Sequence, residues 1–170
     1  IADGDWSSDV CSSDLEKGSE LELIIKYAQK HQVTPRIGLR VKLASRGSGR
    51  WESSSSQHSK FGLFTSEVLD AVELLRHHDM LEALKLLHFH LGSQVNHISA
   101  IKAAINEQIR IYSELYRAGA GLEYIDVGGG LGVDYEGTKT NVGSSINYSL
   151  QEYANDVVFH IREVCEQTGT

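Results

Sequence analysis

Three short apolar runs, each leading through a loop into a helical pattern, constrain this chain more than any other feature: Arg36 to Ala44 (RIGLRVKLA), Leu84 to Leu91 (LKLLHFHL) and Tyr124 to Val127. In the first, Ile37, Leu39, Val41 and Leu43 alternate with Arg36, Arg40 and Lys42, the period of a strand with two unlike faces. Between the runs lie helical patterns. Ser19 to Gln32 carries Leu23, Ile24 and Tyr27 at helical spacing behind a serine cap. Thr65 to His77 is capped at Thr65 or Ser66, and Asn96 to Ala118 ends at Gly119. A last helix runs from Ser149 through Val157, Val158 and Ile161 to Gly169. Strands separated by whole helices cannot pair as hairpins, so the sheet is expected to be parallel and covered by its crossovers, an α/β architecture. Three units are too few for the roughly 250 residues of a closed (β/α)8 barrel. No doubly wound fingerprint is present either. The expectation is part of a TIM barrel, roughly its middle βα units.

The ends bear on domain organisation. The opening IADGDWSSDVCSSDL is Ser/Asp-rich and aperiodic, and it shifts abruptly at Glu16 into a helical pattern. Residues 1–15 are therefore set aside as a non-native leader, and residues 16–170 are taken as a barrel fragment cut at both ends. Ser45 to Lys60 is a Gly/Ser loop, long for a compact domain. The formal net charge is -7, and Lys and Arg form no stripe that could neutralise a phosphate backbone, which argues against nucleic acid. No apolar run reaches the roughly 18–20 residues of a membrane span, and the expected setting is the cytoplasm, away from membranes. Cys11 and Cys165 lack metal spacing and read as free thiols.

Three stretches could carry chemistry. In DVGGGLGVDYEG, Asp126 to Gly137, four glycines fall within five positions at the end of a strand. Gly128, Gly129 and Gly130 could aim backbone N–H groups at an anion such as phosphate, or simply form a tight turn. The dinucleotide pattern needs a glycine where Val133 stands, and no Gly-Lys-Ser/Thr follows for a P-loop. Asp134 and Tyr135 add polar groups beside the glycines. In LLHFHLGSQ, His88 and His90 share a strand face, and no third ligand is close enough in sequence for a metal. His90, followed by Gly92-Ser93, could face a ligand ring with the Ser93 hydroxyl reaching an oxyanion, or could be a core histidine bonded to backbone. Arg40 implies an acidic partner or an anionic ligand if it faces inward, and a solvated charge if it lies on an edge strand.

Taken in order and spacing, RVKLASRGSGRW, SKFGL, LLHFHLGSQ, DVGGGLGVDYEG and SINYSLQEYANDVV resemble the biosynthetic arginine decarboxylases, pyridoxal-phosphate enzymes of the alanine-racemase-like barrel class. The likeness spans essentially everything after Glu16. It implies decarboxylation of L-arginine to agmatine and CO2, leading into polyamine synthesis, with pyridoxal 5'-phosphate as cofactor and Mg2+ allowed as a second. By the resemblance His90 stacks on the cofactor ring, Ser93 and Gly130 hold its phosphate, Gly128 and Gly129 belong to the cofactor-binding set, and Arg40 lies against its polar edge. The segment Ile125, Asp126, Val127, Gly128, Gly129, Gly130, Leu131, Gly132, Val133, Asp134 and Tyr135 matches the family's substrate-binding stretch. The resemblance further implies a homo-oligomer, with the Lys60-Phe61-Gly62 turn near a subunit contact. The family's Schiff-base lysine belongs on an earlier strand, and its acidic partner for the pyridine nitrogen, second phosphate loop, cysteine and aspartate belong downstream. No catalytic residue is therefore expected within the chain, and the chain alone is expected to be inactive. The shorter elements also fit ornithine and diaminopimelate decarboxylases, and a non-catalytic cofactor-binding barrel.

Overall fold

A computed structural model describes residues 14–45, 61–133 and 146–170. Its elements run β1 (Asp14–Leu15), α1 (Gly18–His31), β2 (Ile37–Arg40), α2 (Thr65–His77), a short 3-10 turn, β3 (Leu84–His88), α3 (Ile98–Arg117), β4 (Tyr124–Asp126) and α4 (Leu150–Thr168). The four strands lie in the order β1-β2-β3-β4, every pair parallel. A doubly wound sheet reverses its strand order at a switch point; here each strand simply adds beside its predecessor, as in a barrel wall. The expected Lys60 and the Gly/Ser loop through residue 60 lie, apart from Ser45, outside the described residues.

Two differences from the sequence reading have physical causes. The break in composition at Glu16 falls directly after a strand that the sequence reading did not include, β1, whose Asp14 and Leu15 pair with Gly38 and Leu39. A two-residue strand leaves no period to read, and its evidence is the burial of Leu15. The caps differ as well. The N-caps are Lys17 for α1 and Phe64 for α2, in place of Ser19 and of Thr65 or Ser66. In both, a glutamate three residues into the helix reaches back: Glu20 accepts from the Lys17 N–H at 3.0 Å and Glu67 from the Phe64 N–H at 2.7 Å. A carboxylate near the positive end of the helix dipole thus replaces the usual cap hydroxyl. At α4 the cap is Ser149, whose hydroxyl accepts from the Glu152 N–H.

The alternation in β2 sorts the faces. Ile37 and Leu39, with Leu87 of β3 and Phe89 just beyond it, are at most 1% exposed. Burying each such side chain stabilises the fold by about 1.5–3 kcal/mol. They belong to one core with Val68, Leu75 and Ile105 from the helices. The opposite face carries the polar side chains, and with the helices packed on the first face it corresponds to a barrel interior. No helix among the described residues is long and apolar enough to cross a membrane.

Candidate functional site

Register places the polar side chains. Arg40 is paired with His88, and His88 with Asp126, so three residues form a row across three strands at their carboxyl ends. Glu16, the residue after β1, extends the row: its carboxylate meets the Arg40 guanidinium at 2.5 Å. Arg40 thus has an acidic partner within the chain. β2 lies between β1 and β3, so Arg40 is not an edge charge. The Phe61 ring stands 5.4 Å from the guanidinium carbon, and the side chain is thereby held from two sides. Sequence reasoning missed Glu16, although a strand arginine calls for such a partner. Glu16 sits at the compositional break, where the chain gives no sign that it adjoins a strand.

Beyond the row, the chain leaves β3 and β4 in two loops that touch. The Gly129 N–H points at His90 Nδ1 over 3.4 Å, and the Val95 N–H donates to the Gly130 carbonyl at 2.9 Å. His90 and the triple glycine are therefore neighbours. The close approach that excludes side chains at Gly128 and Gly130 comes from the protein's own backbone. A Cβ on Gly128 would lie 2.3 Å from the Phe89 carbonyl oxygen, and one on Gly130 would lie 1.8 Å from that of Gly92; both glycines have positive φ. Gly129 differs, with open space where its side chain would be. The Gly128 N–H is taken by Asp126 Oδ1 at 2.8 Å.

The remaining assignments divide clearly. Ser93 is exposed at the tip of the first loop, one residue before Gln94, whose carboxamide bonds both the N–H and the carbonyl of Val133, at 2.9 and 2.7 Å. Ile125 and Val127 are half-buried, with Ile125 paired to Leu87 and Val127 packed against the core. Leu131 pairs with Val95, and the Gly132 N–H donates to the Tyr148 hydroxyl at 3.0 Å. Asp134 and Tyr135 lie outside the described residues. A small recess opens at the carboxyl ends of β2 and β3 between Arg40, Lys42, Ser45, Phe61 and His90. Ser45 Oγ is buried there without a hydrogen-bond partner among the described residues. Among those residues no group of three or more His, Cys, Asp or Glu gathers to hold a metal ion.

Burial holds the pKa of His90 below the usual imidazole value, helped by the Arg40 and His88 charges and opposed by Asp126. The ring is thus neutral at neutral pH. Because the unfolded chain binds this proton more readily, the contribution is complete above the unfolded value of about 6.5 and declines as pH falls below it. An NMR titration of the His90 ring should give a midpoint below 6.5, and Arg40→Gln should move it upward without reaching the free value, since burial remains. A midpoint at or above 6.5 in the parent would contradict this environment.

These features fit a phosphorylated aromatic ring: a neutral imidazole, an exposed serine in the loop that follows it, and a glycine turn open at Gly129. The relatives carry the same implication. The family of the pyridoxal-dependent decarboxylase, pyridoxal binding domain, matches residues 6–170. A biosynthetic arginine decarboxylase of Rhodopirellula baltica is 54% identical over 155 residues, covering 91% of this chain and 23% of its own. The crystal structure of the biosynthetic arginine decarboxylase from Campylobacter jejuni superposes with a TM-score of 0.77 at 42% identity, over 92% of this chain and 25% of that one. Diaminopimelate decarboxylase from Helicobacter pylori, solved with L-lysine, follows at a TM-score of 0.74 and 28% identity, over 88% of this chain and 36% of that one. The chain thus spans about a quarter of the length of the arginine decarboxylases it matches. With a parallel barrel wall, touching loops at its carboxyl end and a family match over nearly its whole length, the chain belongs to the pyridoxal-dependent decarboxylases, as part of their pyridoxal-binding domain.

Proposed function

We propose that this chain is the part of an arginine decarboxylase that holds the ring and phosphate of pyridoxal 5'-phosphate, in an enzyme converting L-arginine to agmatine and CO2. The observation that carries the reading is the contact of the His90 ring with the Gly129 N–H at the ends of adjacent strands. The names of the 48–54% identical relatives support arginine as the substrate. When bound, the cofactor takes up the electron pair released as CO2 leaves, while the protein supplies orientation and electrostatics. His90, neutral through burial, covers the ring face without adding positive charge. Ser93 and Gly130 hold the phosphate, and Arg40, kept in place by Glu16 and Phe61, stands toward the ring's polar edge. Ile125 to Tyr135 contributes to the substrate side. In the whole enzyme we expect a homo-oligomer in the cytoplasm, with Phe61 near the subunit contact and Mg2+ as an added cofactor.

Lys85 is paired with Glu82 and Glu123, and Lys42 stands over the Phe64 ring, so neither is offered as the Schiff-base residue. We expect the chain by itself to release agmatine no faster than free cofactor does. The full-length protein should release agmatine from L-arginine in preference to the products of ornithine or diaminopimelate. A preference for diaminopimelate, which the Helicobacter match makes the first alternative, would replace the substrate and keep the site. Cofactor binding without turnover of any of the three would favour a non-catalytic binding barrel.

A further inference from the structure

The Tyr148 side chain is buried, 7% exposed, just before the serine that caps α4, and none of the roles above uses it. Its hydroxyl donates to the Val95 carbonyl at 2.6 Å and accepts from the Gly132 N–H at 3.0 Å. Val95 belongs to the loop that follows His90, and Gly132 to the glycine loop. One rung earlier the two loops bond directly, from the Val95 N–H to the Gly130 carbonyl. The phenol therefore serves both sides of the next rung, where the N–H and the carbonyl meet through its oxygen. The residue before it anchors the Tyr148 segment to the first of these loops and to α3. The Asn147 N–H donates to the Asn96 carbonyl at 3.1 Å, and Asn147 Oδ1 accepts from the first N–H of α3, on Ile98, at 3.0 Å. A backbone rung across two irregular loops is easily lost, and a buried hydroxyl with both its donor and one acceptor position used is costly to leave unsatisfied.

We infer that Tyr148 is a positioning residue for the cofactor site: its hydroxyl locks the glycine loop to the His90–Val95 loop, and so sets where Gly129 and Gly130 stand relative to His90 and Ser93. The inference rests on the pyridoxal-phosphate reading above and adds a residue outside both loops. Tyr148→Phe keeps the buried ring and removes only the shared hydroxyl. In the full-length protein, this variant should stay folded, with a pyridoxal 5'-phosphate Kd raised about five- to tenfold, the scale of one or two lost buried hydrogen bonds. The visible circular dichroism of the bound cofactor, which reports how the ring is held, should weaken. A lowered Tm with unchanged Kd and dichroism would show a merely structural tyrosine and overturn the inference. Should Tyr148→Phe not be recovered folded, Gln94→Asn is the second test. It shortens the carboxamide that bonds Val133, and it should loosen the cofactor several-fold; parental affinity there would equally overturn the inference. A parent that binds no cofactor at all would sink the proposed function together with this inference, whereas a binding parent with an indifferent variant would sink this one alone.

Discussion

Alanine at position 130 is expected to prevent the two site loops from closing, whereas alanine at 129 leaves them intact. At Gly130 the added Cβ would sit 1.8 Å from the Gly92 carbonyl oxygen, on a residue with φ +86. The clash is with backbone, which cannot rotate away as a side-chain end can. Overpacking costs about 1–3 kcal/mol, and a non-glycine residue forced to positive φ adds about 1–2 kcal/mol. Gly130→Ala in the full-length protein should therefore lose about 2–5 kcal/mol in denaturant unfolding, together with cofactor binding. Gly129→Ala meets nothing within 4 Å and should stay within about 1 kcal/mol of the parent, as for substitutions without strain. Equal stability of the two variants would mean that the 89–93 segment does not press on the glycine turn. In that event a bound anion, rather than the protein's own backbone, would have to explain the glycines.

The second large effect is expected at Gln108, which is fully buried on α3. Its Nε2 donates to the Leu87 carbonyl at 2.9 Å and to the Asp126 carbonyl at 3.2 Å, clasping β3 and β4 just before they enter the two loops. Its Oε1 is buried without a partner among the described residues. Gln108→Glu keeps the shape but puts a carboxylate against two carbonyls, where it can donate nothing when ionised. Such a group takes up a proton rather than stay charged. Holding it protonated at pH 7, against a free value of about 4.3, costs about 3–4 kcal/mol at 1.36 kcal/mol per unit. The raised folded pKa means that this loss shrinks as pH falls toward the free value, so the gap to the parent should narrow in acid. Gln108→Met, lacking any charge, should lose about 1–3 kcal/mol with no such pH dependence, through the two unmade hydrogen bonds. Urea unfolding of the full-length variants at neutral and acid pH would separate these cases. Matching pH profiles for the two variants would show that the carboxylate finds water.

Much of the fold could be read from local pattern. Period-two alternation in Ile37–Arg40 and 3.6-residue spacing in α1 to α4 are properties of each segment alone, and helix ends at Gly119 and Gly169 follow from which residues accept left-handed φ. Thr65–His77 has the expected span, because its apolar face is continuous, although its N-cap falls earlier than expected, at Phe64. β1 was illegible, since two residues carry no period and their strand character comes from pairing with Gly38 and Leu39. The caps were misplaced because glutamates inside the helix did the work assigned to Ser19, Thr65 or Ser66. In the site, single residues were legible as types: an imidazole before Gly-Ser, a triple glycine, a strand arginine. What joined them was not. Glu16 and Arg40 are 24 residues apart, and Gln108 and Leu87 are 21 apart; no local spacing announces contacts between elements of different kinds.

Left to itself, the sequence determined that this chain makes parallel strands under helices, and that glycines and an imidazole cap two of those strands, because periodicity and backbone freedom are local properties. Only the tertiary structure decided that Glu16 neutralises Arg40, that Gly128 and Gly130 are glycine because the neighbouring loop's carbonyls leave no room for a Cβ, and that Gln108 and Tyr148 tie the strands and loops together. Register between strands settles which side chains share a row, and register is a property of the assembled sheet rather than of any one strand.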